Sequence, residues 1–332
     1  MKKNVIRFSL IFVFLLPCTA NSQEDVELFI NDMLHVAEDF ATPAAEGAVY
    51  LSGAGWFSSA KDLDLWELEI SVMANVLFVP EKKKSTAISS TDYKTFDIRG
   101  EQNAIIPTAF GGMTDVVFEG EILGNEFDFN AIDGINKNFL AHPFVQASMG
   151  LPYGTDLTFR FLPKTKIDDV NFSTYGVGLK HNFNQYFFNP QPNDFQFAAL
   201  VAYSKYDVDY GFIPLLVEYD LFSESRVALE MDQIEVDADI FLFQVITSKS
   251  FINSGWEVFG SIGASTSQVD YVAGGGGDFL GEMNSALEIL GENNIEFKVD
   301  AGVNYQIGRF KLSSMLSAGK FFNANLGLSV GI

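Results

Sequence analysis

NIEFKVDAGVNYQIG, residues 294–308, alternates without a fault. Ile295, Phe297, Val299, Ala301, Val303, Tyr305 and Ile307 form one set. Glu296, Lys298, Asp300, Gly302, Asn304, Gln306 and Gly308 form the other. A period of two is that of a β-strand, whose side chains point to opposite faces in turn. One face therefore meets an apolar medium and the other a polar one. The chain ends on the same pattern, FNANLGLSVGI (322–332). Length separates a protein core from a bilayer as the apolar medium. A tilted membrane strand needs about 9–11 residues, whereas strands of soluble sheets average about 5–6.

Many segments reach the longer figure. WELEISVMANVLFV (66–79), NFSTYGVGLKHNF (171–183), FQFAALVAYSKY (195–206), ADIFLFQVITSKSF (238–251) and GWEVFGSIGASTSQVDY (255–271) do so. TDVVFEGEI (114–122), PFVQASMGL (143–151), DLTFRFLP (156–163) and RFKLSSMLSAG (309–319) extend the series. Short turns at 152–155, 251–255 and 307–310 alternate with longer polar connectors at 80–101, 123–142, 207–237 and 272–293. Outer-membrane barrels show that asymmetry, with short periplasmic turns and long external loops. The expected fold is all-β: a transmembrane antiparallel up-and-down β-barrel of 12–14 strands with a short N-terminal helix or plug segment. An odd tally among the segments leaves open whether GAVYLSGAGWF (47–57) is a wall strand or a plug, and whether 225–236 adds a strand.

The first residues agree with export. MKKNVIR is basic, FSLIFVFLLP is apolar but short, and Ala20-x-Ser22 fits cleavage before Gln23. Residues 1–22 are expected to be a signal peptide, 23–60 the N-terminal helix and plug, and 61–332 the barrel. Helical spacing over 24–41 places Val26, Phe29, Ile30, Met33, Leu34, Ala37 and Phe40 on one stripe, ended by Thr42-Pro43. Cys18 is the one cysteine and would leave with the signal, so no disulfide framework or thiolate metal site is expected. The formal net charge of −22 argues against nucleic acid as a partner.

No catalytic motif stands out. His35, His142 and His181 lie in no metal spacing, and neither H-E-x-x-H nor G-x-S-x-G occurs. No enzyme activity, cofactor or metal is expected. Asp207-x-Asp209, Glu230-x-Asp232 and Asp237-x-Asp239 read as a solvated loop surface or, less simply, as Ca²⁺ ligands. DFLGEMNSALEILGE (278–292) follows the glycines 274–277 and has the spacing of a short amphipathic helix at the barrel mouth. Trp56, Trp66 and Trp256 fall near strand ends, where aromatic belts would place them.

Strand phase selects Arg160, Lys180, Glu69, Glu119, Glu121 and Asp300 as lumen-lining residues. These charges either line a solute path or pair with one another inside a narrow barrel.

GWFSSAK (55–61), GLPYGTDLTFRFLPK (150–164) and GVGLKHNF (176–183) together resemble an uncharacterised family of outer-membrane barrel proteins common in Bacteroidota. An N-terminal segment before a barrel is also similar in plan to the long-chain fatty-acid transporter family, without that family's Asn-Pro-Ala phrase. The resemblance implies an outer-membrane barrel. The expected partners are outer-membrane lipid and lipopolysaccharide, with a small, hydrophobic solute taken up or passed. A structural barrel that anchors the envelope and an exported glycan-binding β-sandwich are the alternative expectations.

Overall fold

The structure is a computed structural model, and it describes residues 18–167, 170–187, 195–221, 224–251, 254–290 and 294–332. The expected signal peptide lies largely outside the described residues. Helix α1 (Cys18–Ser52) leads into a run without regular structure and then strand β1 (Leu68–Phe78). Five short strands follow: β2 (Ser85–Ser89), β3 (Phe96–Ile98), β4 (Asn103–Pro107), β5 (Val117–Ile122) and β6 (Asn125–Asn130). The remaining strands are β7 (Phe139–Leu151), β8 (Thr155–Ile167), β9 (Val170–Asn182), β10 (Phe195–Leu221), β11 (Glu224–Ser250), β12 (Trp256–Gly276), β13 (Asn294–Ile307), β14 (Phe310–Ala318) and β15 (Phe322–Gly331). Among the described residues a single turn α2 (Asn184–Phe187), helix α3 (Leu280–Leu287) and three short 3-10 turns accompany the strands.

Ten strands close the barrel in the order β1-β15-β14-β13-β12-β11-β10-β9-β8-β7, every neighbour antiparallel. The expected 12–14 is corrected to ten for three reasons. The strand at 114–122 is β5, only six residues long, in an external sheet with β3 and β6. Residues 47–52 are helical. Residues 207–221 and 224–237, expected in a loop, belong to β10 and β11, 27-residue strands that rise past the wall. Alternation shows that a strand exists without showing which sheet it joins.

The wall meets lipid as its pattern requires. On β13, Ile295, Phe297, Val299, Val303 and Ile307 are exposed, while Glu296, Lys298, Asp300 and Asn304 are buried. On β15, Phe322, Leu326 and Leu328 are exposed and Asn323, Asn325 and Ser329 are buried. An all-round belt of exposed large apolar residues over a polar, side-chain-filled interior is the inverse of a soluble domain. It marks a membrane-spanning barrel. Trp66 and Trp256 lie exposed at the short-turn end, as a belt predicts, but Trp56 is buried in the lumen. No described helix is long and apolar enough to cross a membrane.

The short turns define the periplasmic end and the large 79–138 insertion the external end. There α1 packs on the insertion, on the raised parts of β10 and β11 and on α3. Phe29, Met33, Phe96, Phe118, Leu229 and Met283 all belong to this one buried cluster. Helix α1 is longer than expected and passes through Pro43. Proline removes one helical hydrogen bond, but residues beyond it are enclosed by wall and insertion, so burial of Ala45, Ala48, Val49 and Leu51 sustains the helix.

Candidate functional site: a threaded lumen and an outer apolar cavity

A helix leaves its last carbonyls without intrahelical partners and carries partial negative charge there. The C-terminus of α1 ends inside the barrel, and the wall supplies the donors. Arg160 on β8 donates to Ser52 O at 2.8 Å and to Ala54 O at 2.9 Å. Lys298 on β13 donates to Gly53 O. Asn75 on β1 donates to Leu51 O at 2.9 Å. The Arg160 guanidinium also lies 4.1 Å from the Trp56 ring centre and 4.0 Å from that of Phe144. Two cations and two rings thus hold one helix end.

The chain then descends through the lumen. Asn304 donates to Ser58 O, Asn182 to Ala60 O at 2.9 Å, and Ser59 Oγ to Glu257 at 2.6 Å. Lys180 donates to Ser59 O and Lys61 O and pairs with Asp156 at 2.9 Å; Asp156 in turn accepts from Leu63 N at 3.0 Å. Trp66 N donates to Gly150 O, and β1 begins. Residues 53–67 therefore connect an external helix to the periplasmic start of the first strand by passing through the barrel.

Four of the expected lumen residues face that interior. Arg160 and Lys180 hold the threaded segment. Asp300 accepts from Ser261 Oγ at 2.6 Å and lies 3.6 Å from Lys298. Glu69 pairs with Lys311 at 2.6 Å near the periplasmic end. Glu119 and Glu121 are corrected: both sit on β5 in the external sheet, where Glu119 pairs with Arg99 at 2.7 Å in solvent. A six-residue strand that joins no wall strand has no lumen face. The inward cations mainly grip backbone carbonyls, an option that neither a solute path nor mutual pairing had supplied. Lys298, Asn75, Asn182 and Asn304 were missed, although their alternation with exposed residues is visible in the sequence.

The three phrases behind the family resemblance meet here. Trp56 of GWFSSAK packs on the GVGLKHNF strand, where a Cβ at Gly176 or Gly178 would come within 2.9 or 3.1 Å of the indole. Arg160 of the second phrase lies over the same ring, 4.1 Å from its centre.

Above the threaded segment lies a cavity of about 120 Å³. From α1 come Phe40 and the stripe Ala41, Ala44, Ala45 and Ala48, small residues that leave the space open. The wall adds Phe172, Tyr206 and Ile234, and β7 adds Phe139, Leu140 and Ala141. The lining is almost wholly apolar. Beside it, buried His142 makes ring contacts with Phe172 at 5.7 Å and Tyr206 at 5.4 Å, and neither of its ring nitrogens has a hydrogen-bond partner among the described residues. No group of three or more His, Cys, Asp or Glu among the described residues is placed to hold a metal ion.

A closed ten-strand wall, a lipid-facing belt and a threaded lumen define an outer-membrane β-barrel. Within that class, the chain belongs to the family described as a family of unknown function, DUF6588, which matches residues 1–332. No curated protein matches it. Among solved structures it is similar to the β-domain of the Bordetella autotransporter BrkA, at 10% identity, covering 81% of this chain and 100% of that one, TM-score 0.34. It is also similar to an outer-membrane channel from Pseudomonas putida F1, at 10% identity, 82% and 98% coverage, TM-score 0.30. The attachment invasion locus protein Ail of Yersinia pestis matches at 10% identity, 80% and 97% coverage, TM-score 0.26. Scores of this size mark no shared site or activity.

Proposed function

We propose that this barrel takes up a small hydrophobic solute, which binds first in the cavity between α1 and the wall. The cavity itself carries the reading: an apolar void at the external end of a membrane protein, kept open by a stripe of alanines. A dry engineered cavity of about 150 Å³ holds benzene, so the fitting ligand is one ring or a few methylenes. The hydrogen-bonded segment at 53–67 closes the route beyond, and onward passage requires it to shift. That sealed lumen favours a second reading, an envelope barrel without transport. Export by a cleaved signal peptide belongs to the proposal, and N-terminal sequencing of the mature protein checks it.

The test uses fluorobenzene and the full-length protein in detergent, followed by fluorine NMR. A bound resonance is expected, and Ala45→Leu, which fills the cavity, is expected to remove it. Absence of a bound resonance in the wild-type protein overturns the uptake reading and leaves the sealed barrel.

A further inference from the structure

β7 and β8 form only half a seam. They pair from Leu151↔Thr155 at the periplasmic turn up to Val145↔Phe161, and there the ladder stops. β7 nevertheless continues to Phe139 and β8 to Ile167. Continuing the same register places Pro143 opposite Pro163. Gly150 N donates to Glu67 O and Val79 N to Asn138 O, so the even-numbered residues of β7 direct their backbone groups to β1. Odd-numbered residues, Pro143 among them, face β8. The Pro143–Pro163 pair is therefore one that should exchange two N–H···O bonds, and neither residue has an N–H. β1 still pairs with β7 all the way to Phe78↔Phe139, undisturbed by Pro143. At the proline itself, β8 shifts register on β9 between Leu162 and Thr165, a bulge that bends a strand. The prolines also strip donors from the two free edges, which lowers the cost of leaving them unpaired.

The open edge borders the cavity. On β7, Leu140 has inward phase while Phe139 and Ala141 have outward phase, yet all three line the void. The space therefore wraps the unpaired edge of β7. Immediately below, Val145 and Phe161 are exposed on the lipid-facing surface at 49% and 58%, and Phe139 beside the gap is exposed at 57%.

We infer that the unzipped β7–β8 seam is a lateral portal, through which a small apolar molecule dissolved in the outer leaflet reaches the cavity beside α1. The inference rests on the uptake reading and adds its route: the solute arrives from lipid, not down the barrel axis.

The decisive variant is Pro143→Val with Pro163→Val, which restores both N–H groups in β-favouring residues. Two measurements are made on full-length protein in lipid nanodiscs. Backbone hydrogen exchange over 139–145 and 161–167 reports whether the ladder closes. Fluorine saturation transfer reports the rate at which lipid-dissolved fluorobenzene loads the cavity. Closure is expected to slow exchange and to cut loading about tenfold, equivalent to about 1.4 kcal/mol of barrier, while detergent-phase binding persists. Thr165→Trp, which obstructs the gap from the β8 side and lies outside the cavity lining, is expected to slow loading likewise. Wild-type loading in Thr165→Trp, or in the double variant once exchange shows it closed, overturns the portal. No binding in the wild-type protein overturns the uptake reading instead.

Discussion

The Arg160 guanidinium lies 4.1 Å from the centre of the Trp56 ring and within 2.9 Å of the carbonyls on either side of Gly53, so one wall residue holds both the end of α1 and the first bulky side chain beyond it. Barrel and threaded segment are joined at a buried charge whose attractions are a helix end and two ring faces.

Replacing that charge leaves two carbonyls in a dry interior. Arg160→Met is expected to cost about 3 kcal/mol, since an unsatisfied buried polar group costs about 1–3 kcal/mol. Chemical denaturation of the refolded protein reads the loss. Liposome swelling with small sugars is expected to stay flat, because Lys298, Asn75, Asn182 and Asn304 still hold the segment. Swelling by Arg160→Met alone would show that this residue is the gate itself.

Gly178 gives a volume test of the same contact. A methyl group there meets the indole of Trp56 at 3.1 Å. Gly178→Val adds more bulk in a filled lumen, and overpacking costs about 1–3 kcal/mol. Because Trp66 and Trp256 are exposed and Trp56 is buried, a displaced Trp56 is expected as a red shift of the blue-emitting component of tryptophan fluorescence. Gly178→Val with unchanged emission and stability would contradict the packing.

Charge on the external domain carries a pH dependence. The Asp39 carboxyl is pushed above the usual carboxylate range, first by burial, then by Glu38, with Asp92 adding and His35 opposing. A raised folded pKa means the folded state holds the proton more firmly. The contribution of Asp39 to stability is therefore greatest at low pH and falls as pH rises from about 4 through the raised value. Asp39→Asn is expected to flatten that slope between pH 4 and 7 in proteolysis of the external domain. Tyr93, also raised by burial and by Asp39, Asp92 and Asp32, keeps its hydroxyl neutral throughout. A variant with an unchanged slope would assign the pH dependence elsewhere.

Much of the wall is legible in the chain. Residues 294–308 declare both their lipid face and their lumen face, and each buried charge on β13 occupies a position that alternation marks as inward. Alternation fails where it is not unique. TDVVFEGEI has the period of a wall strand, but at the length of β5 it folds into an external sheet, and Glu119 and Glu121 went with it. The helix boundary at Pro43 was misread because proline ends a helix by local rules, and here enclosure outweighs one lost hydrogen bond. The cavity was invisible, because its walls come from α1, β7, β9, β10 and β11, and no local pattern joins them. The stripe Ala41, Ala44, Ala45 and Ala48 was the one signal available, and it has meaning only once something large is known to face it.

Threading makes a topological prediction that tests the whole arrangement. An even-stranded barrel starts and ends its wall in the periplasm, so β1 begins there, and residues 53–67 must rise through the lumen to an α1 whose upper part packs on the external insertion. Asp32 fixes that packing, accepting from Lys94 N, Thr95 N and the Thr95 hydroxyl at 2.6–2.7 Å. A peptide epitope placed between Glu24 and Asp25 is therefore expected to be labelled by antibody on intact cells, and one placed beside Gln185 in α2 only after the envelope is opened. Asp32→Ala should leave both patterns unchanged while raising protease cleavage within 79–138, because it loosens the external contact without unthreading the lumen. Labelling of the first epitope only in opened cells would place α1 in the periplasm and require the chain to enter the barrel from below.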